Sequence, residues 1–352
     1  MIIVRPVTIA DVDGILDLFT LAGAALHGMS SLRPDRETMT ARVSASERIF
    51  THPDEDDPAA DYLFVLVDTT ADKIIGTGAV IARVGLTSAF YSYKIVTRVY
   101  SSRELGVYNK IPTLVLCNDY TGLTEVASLF VDAQYRSTRA GKLMALSRLL
   151  FITEHAHRFT ETVFAEMRGY HTPDGRVPVW EGLGQHFFSL PFEKADDLTA
   201  TGNKTFIAEL MPSHPIYIPL LKQEAQDAIG QVHENTVPAR RMLEKEGFRF
   251  HGYVDIFDGG PTIEVKVADM RAATASARYK VTAGDPPPGP DLLIINQEIT
   301  NYRATLAVGA VEGDTLTLSP AVIDGLAISE GDTVRMMTLD APRSADAPDH
   351  GH

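Results

Sequence analysis

The chain has 352 residues and a mass of 38.4 kDa, room for roughly two domains at about 100–200 residues each, and its 45% hydrophobic and 22% charged content excludes wholesale disorder. Its 32 Lys and Arg against 46 Asp and Glu give a formal charge of −14, which excludes a general nucleic-acid or anionic-membrane binder because either needs a basic footprint. The single Cys117 allows no internal disulfide and no Cys-rich metal site; with no apolar run of about 20 residues and no secretory pattern at the N-terminus, a cytoplasmic protein is expected.

In chain order, residues 2–7 form a β-branched run stopped by Pro6, and Thr8 to Asp11 opens a helix with Ile15, Leu16, Phe19 and Leu26 on its apolar stripe. The polar stretch His52 to Pro58 reads as a loop. Tyr62–Asp68 and Ile74–Arg83, joined by turn residues 69–73, read as a hairpin. The apolar strand 125–133 runs into Gln134-Tyr-Arg136-Ser-Thr-Arg139-Ala-Gly141-Lys142, and Leu143, Leu146, Leu149, Leu150 and Ile152 then supply a helical stripe. Next come a strand at Thr162–Glu166, a turn at Thr172–Gly175, and a helix through Val179, Trp180 and Leu183 that is expected to end at Gly184. A comparable unit follows, with a strand at Phe206–Leu210, a Pro-rich bend, helical residues 218–229 and a helix at 237–246 ended by Gly247 before Phe248. Helix-Gly-Phe thus occurs twice, which suggests two related α/β halves. The Ala-, Gly- and Pro-containing residues 271–290 read as a linker, residues 291–339 as short strands with Gly-Asp turns at 313–314 and 331–332, and residues 340–352 as a frayed tail.

Strand, basic turn, helix is the order that sets backbone N–H groups and a positive helix end against a phosphate. In an otherwise acidic chain, Arg136, Arg139, Gly141 and Lys142 can hold a pyrophosphate there; an ordinary basic surface turn explains the same residues. The turn resembles the Arg/Gln-x-x-Gly-x-Gly/Ala loop of GNAT-type acyl-CoA N-acyltransferases, with Arg139 replacing the usual first glycine. That substitution loosens the amide cradle or adds a phosphate partner. In GNAT-like folds the preceding strand splays from its neighbour and offers main-chain groups to the pantetheine arm, which points to Leu129 through Val131; a fully paired core strand fits the side chains equally well.

His233, ahead of the last helix and next to Glu234, is a candidate acid or base that titrates near neutral pH, though a lone histidine is more often structural or solvated. His155, His157, His171, His186, His214 and His251 rank with it by type, and none has a zinc-site spacing. Asp255-Ile-Phe-Asp258-Gly-Gly260 reads as a substrate loop or a plain turn; Glu166, Arg168 and Glu209 sit at strand ends where ligand groups gather. No nucleophile elbow or Walker loop is present, and nothing around Cys117 marks it as a nucleophile.

Long strings decide between these readings. Ala165-Glu-Met-Arg-Gly169, Phe206 to Pro212 with His214-Pro-Ile-Tyr217, Ala225 to His233, Leu243 to Phe248 and Tyr253 to Pro261, together with Val4-Arg-Pro-Val and Val107 to Leu114, resemble the bacterial arginine N-succinyltransferase family from about residue 2 to 265. The resemblance implies transfer of succinyl from succinyl-CoA to L-arginine, giving CoA and N2-succinyl-L-arginine, the first step of a catabolic route for arginine. It implies His233 as proton donor and Leu129 in succinyl-CoA binding, with Val131, Arg136, Arg139, Gly141 and Lys142 on the CoA side. Succinyl-CoA is then a co-substrate, with no permanently bound cofactor or metal, and neither nucleic acid nor membrane is a partner. A homo-oligomer, or a hetero-oligomer with a paralogue, is expected, since some bacteria carry two similar chains. A non-catalytic or co-catalytic subunit, and an acyltransferase with another amine or acyl-CoA preference, are the alternatives. The implied fold is α/β (α+β): a GNAT-like mixed sheet flanked by helices, with residues 1–195 as the acyl-CoA-binding half, 196–270 as a second α/β unit completing the active site, 271–290 as linker, 291–339 as a small β-rich segment and 340–352 as a flexible tail.

Overall fold

The computed structural model describes residues 1–22, 35–55, 57–200 and 205–339. Leu26 and the tail from residue 340 lie outside the described residues. The chain runs through β1 (Ile2–Pro6), α1 (Val12–Ala22), α2 (Arg36–Thr51), the hairpin β2 (Asp61–Asp68) and β3 (Lys73–Ile81), and the long hairpin β4 (Ser92–Ser102) and β5 (Val107–Cys117). Then follow β6 (Thr124–Val131), α3 (Ala140–Glu154), β7 (Thr162–Glu166), α4 (Gln185–Phe188), α5 (Phe192–Ala200), α6 (Thr205–Leu210), β8 (Ile216–Tyr217), α7 (Gln223–Ala228), α8 (Val237–Lys245), β9 (Arg249–Val254) and β10 (Pro261–Lys266). The C-terminal part adds α9 (Arg271–Thr274), β11 (Ala277–Ala283), β12 (Asp291–Asn296), β13 (Ala304–Val308), β14 (Ala310–Glu312), β15 (Thr315–Leu318), α10 (Pro320–Gly325) and β16 (Thr333–Thr338).

All the strands belong to one mixed sheet in the order β14-β15-β11-β16-β12-β13-β1-β2-β3-β6-β7-β10-β9-β4-β5-β8. Among the described residues only β6 with β7 and β11 with β15 pair in parallel. The expected mixed sheet flanked by helices is thus present, and it continues without a break from β1 into β13, so the C-terminal strands extend the main sheet.

Helix α3 explains why they do. Its Leu143, Met144, Leu146, Leu149, Leu150, Phe151 and Ile152 are each at most 2% exposed, so it is apolar on nearly every side and needs cover there. β3 and β6 pack on it, and so do β12 and β13 of the same sheet. Leu293, Ile295, Tyr302, Ala304 and Met337 complete the same core cluster, and the buried Tyr302 hydroxyl donates to the Ser147 carbonyl at 2.7 Å.

Both ends of α3 are also tied to these strands. Arg139 at its start pairs with Asp291, and Glu154 at its end, 5% exposed, accepts from Arg335 at 2.6 Å and Arg278 at 2.8 Å. An acidic group at a helix C-terminus opposes the helix dipole. Burial also pushes the Glu154 carboxyl up, but hydrogen bonds from Arg335, Arg278 and Gln297 outweigh it and hold the pKa below the ordinary 4.5. A carboxyl with a depressed folded pKa stabilises the fold above its unfolded pKa and loses that contribution as pH falls through the folded value. Urea unfolding midpoints of the wild type are therefore expected to drop as pH falls below about 4.5, with the Glu154→Gln variant lacking that component of the drop.

Three local expectations are corrected. Residues 206–210 form helix α6, where a strand was expected; a five-residue apolar run looks alike in either form, and the segment buries Ile207 in the cluster that also holds Trp180 and Met211. The helix at Val179 does not end at Gly184. It runs through a wide π-type turn, Trp180–Gly184, into α4 and stops at Ser189, whose φ is +52°. Gly184 is there for packing, since a Cβ would stand 2.3 Å from the Trp180 ring. Residues 277–283, placed in the linker, form β11: Val281 is 2% exposed between polar neighbours, an alternation masked by the Ala-rich approach and the following prolines.

Candidate functional site

Strand β6 carries the first half of the site. On one edge it pairs with β3, with a register shift between Thr77 and Ala79, and Ser128 there adopts φ +53°, a conformation that side chains rarely accept. The strain is held from several directions. Thr77 donates to the Ser128 carbonyl at 3.1 Å, Arg42 to the Ser128 hydroxyl at 3.0 Å, and Arg148 of α3 to the carbonyls of Ala79 at 3.0 Å and Ala127 at 2.7 Å. Arg148 is 2% exposed, and burial lowers its pKa to about 10. Gly78 makes room for it, because a Cβ would lie 2.8 Å from Met144 Sδ and 3.1 Å from Arg148 Cδ.

On its other edge β6 pairs with β7 only at Thr124 with Val163 and Glu125 with Phe164. Past Glu125 the strands part, β7 continuing against β10, and among the described residues no strand pairs with this edge of β6. Peptide groups of an unpaired edge offer hydrogen bonds to a ligand. Leu129 and Val131, both half-buried, lie on this open part and pack at the margin of the core that also holds Val232.

The turn at the end of β6 is exposed. Asp132 caps it by accepting from Gln134 N–H at 3.0 Å and Lys73 at 2.9 Å, and Thr138 accepts from Ala140 N–H at 3.1 Å, so the chain enters α3 with the first-turn N–H groups directed out of the helix. Arg136 and Lys142 are exposed. Arg139 pairs with Asp291, so its guanidinium is engaged by the C-terminal strands. A Cβ built on Gly141 meets no atom within 4 Å, so the fold itself does not require glycine there.

The second half lies at the end of β7, the other arm of the opening. Gly169 bridges to Val232, and Arg168 carbonyl accepts the His233 N–H at 2.9 Å, which seats His233 where the two parallel strands have separated. His233 caps a short 3-10 turn, Glu234–Thr236, its Nδ1 accepting the Asn235 N–H at 3.1 Å. Burial, then the Arg168 cation, lowers its pKa from the ordinary 6.5, with Glu234 opposing.

Beneath it lies a polar cluster that sequence reasoning named only in part. The His171 ring stands edge-on to His233, centroids 5.4 Å apart, and edge-on to Phe192 at the same distance. Arg168 Nη2 approaches His171 Nδ1 at 3.3 Å, and His171 Nε2 lies 4.0 Å from Asp258. Asp258 accepts from Gly169 N–H at 2.6 Å and Gly260 N–H at 2.9 Å; burial, then Asp255, pushes its carboxyl well above the usual range. The approach of these loops demands glycine, since a Cβ at Gly260 would stand 2.0 Å from the Met167 carbonyl. In the sequence Arg168 was pointed to by its place at a strand end, His171 only by its residue type and Asp258 by the Gly-rich loop, and nothing there joined the three.

Of the candidate residues, Leu129, Val131, Arg136, Gly141 and Lys142 thus fall on one arm of the opening and the turn that follows it, with His233 on the other arm. The remaining histidines named with His233 do not join it, apart from His171; His155 is buried against Phe151, which lowers its pKa to about 4. Among the described residues no cluster of His, Cys, Asp and Glu is arranged for a metal ion, and no helix is long and apolar enough to cross a membrane.

A parallel pair that opens just ahead of a basic turn and a helix start suits an acyl-CoA substrate, and the chain is an acyltransferase. The family model "Arginine N-succinyltransferase beta subunit" matches residues 2–272, and a second model, for the C-terminal domain of the same beta subunit, matches residues 277–338. The arginine N-succinyltransferase of Enterobacter sp. (strain 638) is 43% identical over 343 residues, 96% of this chain and 98% of the relative. That of Yersinia pseudotuberculosis serotype O:3 is 41% identical over 353 residues, 98% of this chain and 99% of the relative. The solved structure of arginine/ornithine succinyltransferase subunit AI from Pseudomonas aeruginosa matches with a TM-score of 0.89 at 31% identity, covering 97% of this chain and 99% of that one. The chain belongs to the arginine N-succinyltransferase family.

Proposed function

We propose that the chain transfers succinyl from succinyl-CoA to the α-amine of L-arginine, giving N2-succinyl-L-arginine and CoA. The opening between β6 and β7, with His233 on one arm and the basic turn on the other, is the observation that carries this reading beyond family membership. In it the pantetheine arm pairs with β6 at Leu129 to Val131, the pyrophosphate meets the turn at Arg136, Gly141 and Lys142, and His233 directs an N–H at the atom on which negative charge develops. Arg139 shares its guanidinium between Asp291 and the phosphates.

The neutral amine attacks the thioester carbonyl, the C–N bond forms, the C–S bond breaks, and CoA departs as a thiolate of a thiol with pKa about 8.5. Holding both substrates together contributes up to roughly 7–11 kcal/mol of barrier lowering. Transfer is direct. Cys117, the chain's one thiol, donates to the Ser92 carbonyl at 3.5 Å, and burial pushes its pKa up, the reverse of an activated nucleophile. Rapid quench is expected to trap no succinyl-protein adduct. Steady-state assays of the purified chain across L-arginine, L-ornithine, succinyl-CoA and acetyl-CoA test the reading, with arginine and succinyl-CoA expected to give the highest kcat/KM.

Both the matched family and the Pseudomonas aeruginosa structure are described as subunits, which favours a second reading, one chain of a hetero-oligomeric enzyme. A chain inactive alone that gains turnover on mixing with a paralogue establishes that reading instead.

Gly141→Ala separates the fold from the site. Replacing glycine in the first turn of α3, where the added Cβ meets nothing, is expected to stabilise the protein by up to about 1 kcal/mol. The same methyl group stands where the phosphates approach, so the KM for succinyl-CoA rises. Thermal unfolding and initial rates on one preparation check both signs.

A further inference from the structure

His233 is held by two backbone hydrogen bonds, one of which, to the ring, defines its protonation. Its Nδ1 accepts the Asn235 N–H at 3.1 Å, and its own N–H is bound to the Arg168 carbonyl at 2.9 Å. A nitrogen that accepts a backbone N–H cannot carry a proton, so the ring's one proton sits on Nε2. An imidazolium would set Nδ1–H against the Asn235 N–H. A ring with its lone pair on Nε2, as a base for the amine would need, requires the same clash.

The surroundings favour the neutral ring. Arg168 and Glu234 are the charged groups that act on it, the His171 ring stands edge-on to it, and Asp258 and Asp196 in turn act on Arg168. Arg168 is the cation nearest in effect and is half-buried. Arg168 has only donors, so His171 Nδ1 accepts from it at 3.3 Å and His171 is likewise neutral with its proton on Nε2. Asp258 accepts from two backbone N–H groups, of Gly169 and Gly260, which occupy its carboxylate oxygens. Glu234 is exposed.

We propose that His233 acts as a neutral imidazole, a hydrogen-bond donor through Nε2–H to the developing charge, and that Arg168 and the Asn235 N–H are the positioning groups that keep it so. The proposal rests on the reading that His233 meets the reacting atoms. Nothing is transferred to or from the ring: the amine proton goes to solvent after the C–N bond forms, CoA leaves as thiolate and takes its proton from solvent, and Nε2 keeps its hydrogen. The rate then rises with deprotonation of the amine and shows no fall near neutrality from loss of an imidazolium.

Long-range 1H–15N spectra of the full chain labelled with 15N-histidine, recorded from pH 5 to 9, test the tautomer, with the His233 signals assigned by their loss in His233→Gln. A protonated Nε2 and an unprotonated Nδ1 from pH 6.5 upward are expected. A protonated Nδ1, or an imidazolium at pH 7.5, overturns the proposal whatever the kinetics show. Arg168→Gln is expected to raise the His233 titration by on the order of one unit and to lower kcat at pH 6 with KM for succinyl-CoA unchanged, and Arg168→Lys to restore both. A titration unmoved by Arg168→Gln overturns the role of Arg168. Full turnover in His233→Gln, with the spectra as expected, shows that the reading of His233 at the reacting atoms has failed, and the proposed donation falls with it.

Discussion

Replacing His233 by alanine is expected to lower kcat by about 10²–10³-fold, the range for removing one hydrogen-bond donor from developing negative charge, while the KM for succinyl-CoA stays near the wild-type value. The split follows from where the two halves of the site are built. His233 hangs on the Arg168 carbonyl at the end of β7, whereas the candidate CoA-binding groups belong to β6 and the turn after it. The substitution also removes the acceptor for the Asn235 N–H, and loss of such a cap costs about 1 kcal/mol. His233→Asn keeps a cap acceptor but cannot place a donor where Nε2 stands, so it is expected to recover stability and not turnover. If alanine and asparagine variants both retain turnover, the transition-state charge is met by other groups.

How much of this was legible in the sequence depends on the range of the interactions. The β2–β3 hairpin, the strand, basic turn and helix at 124–154, and the Gly247 stop, with φ +111°, are local patterns of apolar spacing and turn residues, and they stand where the residues predict them. Helix α6 and strand β11 were not legible, because a short apolar run takes its form from its neighbours. The burial of α3 was half legible: its stripe was visible, but nothing local says that strands about 150 residues later join the core around it. His233 stood out only through the long string around it. The cluster that sets its protonation joins Arg168 and His171 to Asp258, residues about 90 apart in sequence, and no periodicity reports such a contact.

The buried pair Arg271 and Glu246, which joins α9 to the end of α8, carries the largest expected effect on stability. Their side chains are 5% and 2% exposed; Arg271 Nε donates to Glu246 Oε1 at 2.8 Å, and its other nitrogens reach the carbonyls of Thr338 at 3.0 Å and Leu339 at 3.3 Å, locking the C-terminal strand to the acyltransferase core. Even so, burial outweighs Arg271 and the Ala272 backbone N–H and pushes the Glu246 carboxyl above its ordinary 4.5. The pair therefore adds little net stability, but either half alone is costly. Arg271→Met leaves a buried carboxylate unpaired and is expected to destabilise the fold by about 3–5 kcal/mol at pH 7. Glu246→Leu in the same chain removes that carboxylate, so the double variant is expected to regain most of the loss, a coupling that urea unfolding of the four chains measures. The pH dependence fixes the sign. A carboxyl whose folded pKa lies above its unfolded value weakens the fold as pH rises through that window, and losing Arg271 raises the folded pKa further. The single variant's deficit should then shrink on acidification toward pH 4.5, whereas the double variant's offset from wild type should change far less. A deficit that is independent of pH would mean that Arg271 acts through its bonds to Thr338 and Leu339 and not through the charge it faces.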